Sequence, residues 1–257
     1  MTSSPGRITR ISRRIALVTP VLAVLCVVGT AASIHFGCQL DRIQEGRAHS
    51  VKLADELRQS SDDLTRFART YVVTADPRYE TYFQDILAIR NGEKERPVNY
   101  DKIYWDFVAA DHPAPPGSGR AVPLADLMRS ARFTEEEFDL LAEAQANSDG
   151  LVDLEIRAMN AVKGIFADAQ GDYTIRGEPD MPLARALMHS PEYHEAKAEI
   201  MAPIDRFLST VDMRFTDAIA ARRLQLTVLG ITGLAASLAL ALVVTFGSAH
   251  TIRYVIG

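Results

Sequence analysis

The stretch IALVTPVLAVLCVVGTAASIHFG, residues 15–37, decides the fold. It holds no ionisable side chain apart from His35 and Cys26, and it exceeds the roughly 20 residues that a helix needs to cross a hydrocarbon layer. A counterpart lies at residues 225–247, where LTVLGITGLAASLALALVVTFG runs uncharged from Leu226 to Gly247. Both segments are predicted to be transmembrane helices. All 33 Asp and Glu of the chain fall between them, against 23 of the 28 Lys and Arg, which leaves the region between with a net charge of −10. That acidic balance gives no footprint for a nucleic acid.

Basic residues near short tails set orientation, because Lys and Arg resist translocation. Arg7, Arg10, Arg13 and Arg14 crowd the tail 1–14 without an acid among them, and Arg253 follows the second span in 248–257. Both termini are therefore expected in the cytoplasm, with residues 38–224 forming a periplasmic domain on a bacterial inner membrane. Arg222 and Arg223 oppose this at the outer edge of the second span, but the four-arginine tail outweighs them. A cleaved signal peptide ending near Ala31-Ala32-Ser33 is the competing reading of the first segment; its length and the His35-Phe36-Gly37 sequence before Cys38 favour an anchor. Cys26 and Cys38 are the two cysteines, so no intramolecular disulfide framework braces the exported domain. A bridge between two copies at Cys38 stays open.

From Leu40 a heptad continues the first span: Leu40, Ile43, Arg47, Ser50, Ala54, Leu57, Ser61, Leu64, Ala68, Tyr71. This 3,4 spacing predicts one stripe of a long helix, and its small residues suggest a seam where cysteines along Leu57 to Leu64 would cross-link two copies. Asp76-Pro77 starts a second helix, which runs to Arg90 and stops at Asn91-Gly92. A short aromatic helix is expected over Tyr100 to Ala109, followed by a Pro/Gly loop from His112 to Gly119. Thr134 with Glu137 three residues on announces a capping box. The helix it opens carries Phe138, Leu141, Gln145, Ser148, Val152, Glu155, Met159 and Val162 on one stripe, and Leu140, Ala144, Asn147, Leu151, Leu154 and Ala158 on another. Two stripes predict a bundle rather than a two-stranded coil. After Gly164 the segment DAQGDYTIRGEPDMP, residues 168–182, reads as loop, and Ser190-Pro191-Glu192 opens a last helix with Tyr193, Ile200, Ile204, Phe207, Val211, Phe215 and Ala218 inward. Pro203 should kink or restart it. No segment reads as a sheet, so the expected class is all-α: two transmembrane helices flanking an extended periplasmic helical bundle.

Searches for catalytic motifs come back empty: no Gly-x-Ser-x-Gly, no phosphate-cradling glycine loop, no His-Glu-x-x-His and no paired cysteines. No catalytic residue, cofactor or metal is assigned, with His189 and His194 read as exposed residues near a helix start. Polar residues at apolar positions are more informative, because buried polar groups need partners. Gln145, Asn147, Ser148 and Glu155 interrupt the stripes of the capped helix, and Arg66 and Arg69 lie beside Tyr71. Either these groups satisfy one another, or they line a pocket for a small ligand. In the second case Arg66 and Arg69 would hold a carboxylate through forked hydrogen bonds, with Tyr71, Tyr104 and Trp105 as walls.

The stretch ARTYVVTADPRYETYF resembles the helical-turn signature of CHASE-type and four-helix-bundle extracellular sensor regions. RPVNYDKIYWDFV, FTEEEFDLLAEAQANSDGLVDLEIRAMNAV and YHEAKAEIMAPID extend the likeness over residues 39–223, with Ala75 where such turns often carry glycine. The ending TIRYVIG, residues 251–257, is similar to the opening of a HAMP relay. The resemblance implies a homodimeric receptor that senses a small ligand or a periplasmic protein. Its output, expected beyond Gly257, would be a histidine kinase, with a nucleotide cyclase or chemotaxis transducer as alternatives. An accessory protein complete at Gly257 and a membrane-anchored enzyme are the rival readings.

Overall fold

The computed structural model describes residues 5–117, 119–131 and 133–255. Among them the chain is mostly helical, with two long apolar helices at the ends flanking a helical middle. Ile256, Gly257 and the side chains of Arg7, Arg10, Arg14 and Arg253, which entered the orientation and relay readings, lie outside what is described.

Helix α1 spans Pro5–Thr74 and α2 spans Pro77–Arg90. Ala75 separates them with φ 54°, and the Asp76 side chain accepts a hydrogen bond from Arg78 N to start α2. The predicted aromatic helix is shorter than expected: α3 covers only Trp105–Ala109. The residues before it turn instead, with Tyr100 N bonded to Pro97 O and Lys102 N to Asn99 O. Helix α4, Leu124–Ser130, follows Pro123. Helix α5, Glu135–Val162, starts at the expected capping box, in which Thr134 N bonds to Glu137 Oε2 at 2.9 Å and Glu137 N to Thr134 Oγ1 at 3.2 Å.

Two corrections fall in and around the stretch 168–182 read as loop. Strands β1 (Ile165–Phe166) and β2 (Ile175–Arg176) form a small antiparallel hairpin, registered Ile165 to Arg176 and Phe166 to Ile175. Gly164, at φ 68°, opens it in a place where a Cβ would run into the Gly177 carbonyl. Helix α6, Met181–His189, then forms because Asp180 caps Leu183 N at 2.9 Å and Pro182 sits in the first turn, where its missing N–H costs nothing. Helix α7, Pro191–Val255, runs through Pro203 without interruption.

The chain divides into two compact units. One comprises Met1–Glu45 and Arg214–Gly257. Within it Cys26 Sγ of α1 lies 3.5 Å from Ser237 Oγ of α7, and the Arg222 guanidinium is 5.4 Å from the centre of the Phe36 ring. Both helices are long and apolar enough to cross a membrane, and their apolar windows are not buried inside the protein.

The other unit is Gly46–Met213. The stripe read from the heptad of α1 is its core: Ser50, Ala54, Leu57, Ser61, Leu64, Ala68 and Tyr71 are all buried. Other buried residues of the unit come from α2 (Phe83, Ile86, Ile89), from α5 (Leu141, Ala144, Leu151, Met159) and from α7 (Tyr193, Ile200, Ile204, Phe207, Val211). This overturns the expected cross-linking seam. Leu57 is 0% and Leu64 1% exposed within their own chain, so that stripe is not free to face a second copy.

Candidate functional site

Beyond the capping-box Glu137, the buried acid on α5 is Glu155, 1% exposed. It falls on the inward stripe because α5 places every third or fourth residue on one face. There it meets α7 and α1. The Tyr193 hydroxyl lies 2.6 Å from Glu155 Oε1 and 2.9 Å from Thr65 Oγ1, and the Thr65 hydroxyl donates to Ser61 O at 3.0 Å. Above the ring, the Arg69 guanidinium is 4.8 Å from the Tyr193 centroid and its Nε donates to Met188 O at 3.1 Å. Beside it, Lys197 Nζ donates to Ser61 Oγ at 2.8 Å and pairs with Asp62 at 2.9 Å.

Burial is the largest influence on Glu155, because a carboxylate loses its hydration there. It pushes the carboxyl up to about 7, against the opposing effects of the Tyr193 hydrogen bond and the charges of Lys197 and Arg90. Burial likewise raises the Tyr193 phenol, which therefore stays protonated.

Two turns of helix toward the start of α5, Arg90 of α2 enters the interior at 4% exposure. Its Nη1 donates to Ser148 Oγ at 2.9 Å and its Nη2 to Asp149 Oδ1 at 2.7 Å. Arg96 similarly pairs with the buried Glu56 of α1. Desolvation lowers both guanidinium pKa values from their ordinary range.

The sequence-predicted residues separate into six places. Arg66 pairs with Asp63 at 2.8 Å and Asp106 at 2.5 Å, and its guanidinium lies 4.6 Å from the Phe67 ring centre. Trp105 is buried beside it, donating from Nε1 to Tyr100 Oη at 3.0 Å, with Tyr104 packed edge-on at 4.9 Å. Arg69 belongs instead to the Tyr193 cluster, and Ser148 to the Arg90 pair. Asn147 donates to Glu199 O of α7 at 2.8 Å, while Gln145 lines an open groove of about 250 Å³ with Met128, Arg129 and Phe138. Tyr71 is core, 4% exposed. Arg66 and Arg69 thus face different partners rather than forming one fork. In the sequence Glu155 is visible as a polar break in an apolar stripe, without a sign of its partners. Tyr193 read as core and Thr65 lies off the heptad.

Among the described residues no group of three or more His, Cys, Asp and Glu could hold a metal ion. No protein family matches the chain, and no curated protein or solved structure is detectably similar to it.

Proposed function

We propose that the chain is the input module of a transmembrane receptor, in which residues 38–224 meet a periplasmic cue and the spans at 15–37 and 225–247 carry the response inward. One observation supports this most. Helix α7 bears Tyr193, which touches the buried Glu155, and also the apolar run from Leu226 to Gly247, without a break in its helical assignment. Helix α1 likewise bears both Thr65 and the apolar run 15–37.

The apolar side chains on those runs support a lipid surrounding. Leu17, Val27, Ile34, Leu234 and Phe246 are each more than 60% exposed within the chain. In water each would forfeit about 25 cal/mol for every Å² left unburied, a cost that a bilayer removes. A cue that favours one packing of α1, α5 and α7 would shift the population of that packing in both spans. The output is a cytoplasmic partner or further domain, a histidine kinase being the reading that the resemblance favours, and the receptor works as a homodimer through a face other than the Leu57–Leu64 stripe.

Orientation is the testable core of this reading. In a Cys26→Ser background, Cys38 should react with a membrane-impermeant maleimide added to intact bacterial spheroplasts. A Ser3→Cys variant that also lacks Cys38 should react only after permeabilisation. Labelling of position 3 in intact spheroplasts, or protection of Cys38 until lysis, would overturn it.

A further inference from the structure

We propose that the hydrogen-bonded chain Glu155–Tyr193–Thr65–Ser61 is a proton-operated switch, in which gain or loss of one proton at Glu155 changes how α7 is held against α1 and α5. The proposal takes its purpose from the receptor reading above, but its chemistry stands on the Gly46–Met213 unit alone.

Three short contacts run in series: Glu155 Oε1 to Tyr193 Oη at 2.6 Å, Tyr193 Oη to Thr65 Oγ1 at 2.9 Å, and Thr65 Oγ1 to Ser61 O at 3.0 Å. Each needs one hydrogen between its oxygens. Tyr193 and Thr65 bring one each, and the Ser61 carbonyl brings none. With Glu155 ionised, two hydrogens serve three contacts. Tyr193 then donates to the carboxylate, and either the Tyr193–Thr65 contact is left as two facing lone pairs or Thr65 turns away from Ser61 O, toward Tyr193 or toward the carboxylate, which it also reaches. With Glu155 neutral, the carboxyl donates to Tyr193, Tyr193 to Thr65 and Thr65 to Ser61 O, so every contact is filled. A buried pair of oxygens without a hydrogen between them repels and has no water to turn to. The neutral form therefore joins α5, α7 and α1, whereas the ionised form joins α5 and α7 and loosens one of the links toward or within α1.

The surroundings keep the switch near balance. On α7, Lys197 attracts the anion while spending its own hydrogen bonds on Ser61 and Asp62 of α1. From α2, Arg90 acts through space, tied to Ser148 and Asp149. From α1, Arg69 lies over the phenol ring; His194 stands edge-on to that ring at 6.2 Å, and His189 of α6 is kept below its ordinary pKa by burial, Arg69 and His194. Lys197 and Arg90 favour the ionised form and the 1% exposure of Glu155 opposes it, which places the carboxyl near neutrality rather than far to either side.

The test uses the full 257-residue chain in lipid nanodiscs. Infrared difference spectra between pH 6 and 8 should show a protonated carboxyl band disappearing, and Glu155→Gln should remove the part that titrates near 7, leaving only the smaller loss from Asp63 near 6. Over the same range, amide hydrogen exchange around Tyr193, corrected for the intrinsic pH effect, should speed up in the wild type. In Glu155→Gln it should stay constant. Tyr193→Phe provides a second variant: without the phenol to stabilise the anion, the infrared midpoint should move to higher pH. The proposal is overturned if no carboxyl band titrates in the wild type. It is equally overturned if Glu155→Gln keeps the wild-type band or exchange profile, or if the midpoint in Tyr193→Phe is unmoved. The maleimide experiment on Cys38 reports orientation separately, so failure of the switch and failure of the receptor reading give different results.

Discussion

At Ala75 the backbone takes φ 54°, a left-handed conformation in which a Cβ crowds the following carbonyl. Relief of that crowding outweighs the extra freedom that glycine has in the unfolded chain, so Ala75→Gly should stabilise the protein by about 0.5 kcal/mol. A rise of the thermal midpoint would show it, and a fall would mean the turn tolerates alanine without strain. Gly164 presents the reverse case. At φ 68° and against the Gly177 carbonyl, a methyl group has neither the dihedral nor the room, and Gly164→Ala should cost about 2 kcal/mol. Glu155 adds a pH dependence whose sign follows from its direction of shift. The folded carboxyl, at about 7, lies above its ordinary 4.5, so its contribution is fully present below 4.5 and is lost as pH rises through 7. Roughly 3 kcal/mol is at stake, at about 1.4 kcal/mol per pKa unit. Asp63, which burial raises to about 6, adds a loss of the same sign at slightly lower pH. Urea denaturation at pH 5 and pH 8 should therefore show weaker stability at pH 8, with Glu155→Gln removing most of the difference.

Between elements, the link from α2 to α5 is asymmetric. The Arg90 side chain is 3% exposed and that of its partner Asp149 is 57% exposed. Removing the exposed partner is the more damaging change, because it strands a buried cation. Asp149→Ala should cost about 3 kcal/mol, whereas Arg90→Met leaves Asp149 free to hydrate and should cost about 1 kcal/mol. Denaturant midpoints in which Arg90→Met is the worse of the two would refute this ordering. The same elements show how far the sequence could be read. The ends of α2 and the start of α5 were legible because Asp76-Pro77, Asn91-Gly92 and Thr134 with Glu137 are local signals, complete within four residues. The stripes of α1 and α7 were legible because 3,4 periodicity repeats over many turns. Helix α6 was not, since nine residues after a proline-rich loop show too few turns of periodicity to separate from the loop. Strands of two residues each in β1 and β2 have no alternation to find. Of the candidate site, Glu155, Arg69 and Ser148 were visible as polar residues near apolar stripes. Their partners were not, because spacing along one helix says nothing about which residue of another helix arrives opposite.

Across the whole molecule, the unit Gly46–Met213 keeps its buried set within itself, and the apolar runs at 15–37 and 225–247 lie outside it. In the other unit, Cys26 Sγ and Ser237 Oγ stand 3.5 Å apart, one on each membrane-length helix. Ser237→Cys replaces that oxygen with sulfur, and a modest rotation of two side chains in contact suffices to reach the roughly 2.05 Å of a disulfide. In a Cys38→Ser background, mild oxidation should join the introduced thiol to Cys26 within one chain. The product would be a monomer two hydrogens lighter that regains its original mass on reduction. Cross-linked dimers in its place would mean that these faces of α1 and α7 meet between copies. In the proposed receptor the two helices would then belong to a four-helix core shared between copies rather than to a hairpin closed within each chain, and a cue acting on Tyr193 would pass through a neighbour's first helix as well as its own. Monomeric product would mean that these faces of α1 and α7 meet within a single chain, as the Cys26–Ser237 contact has them.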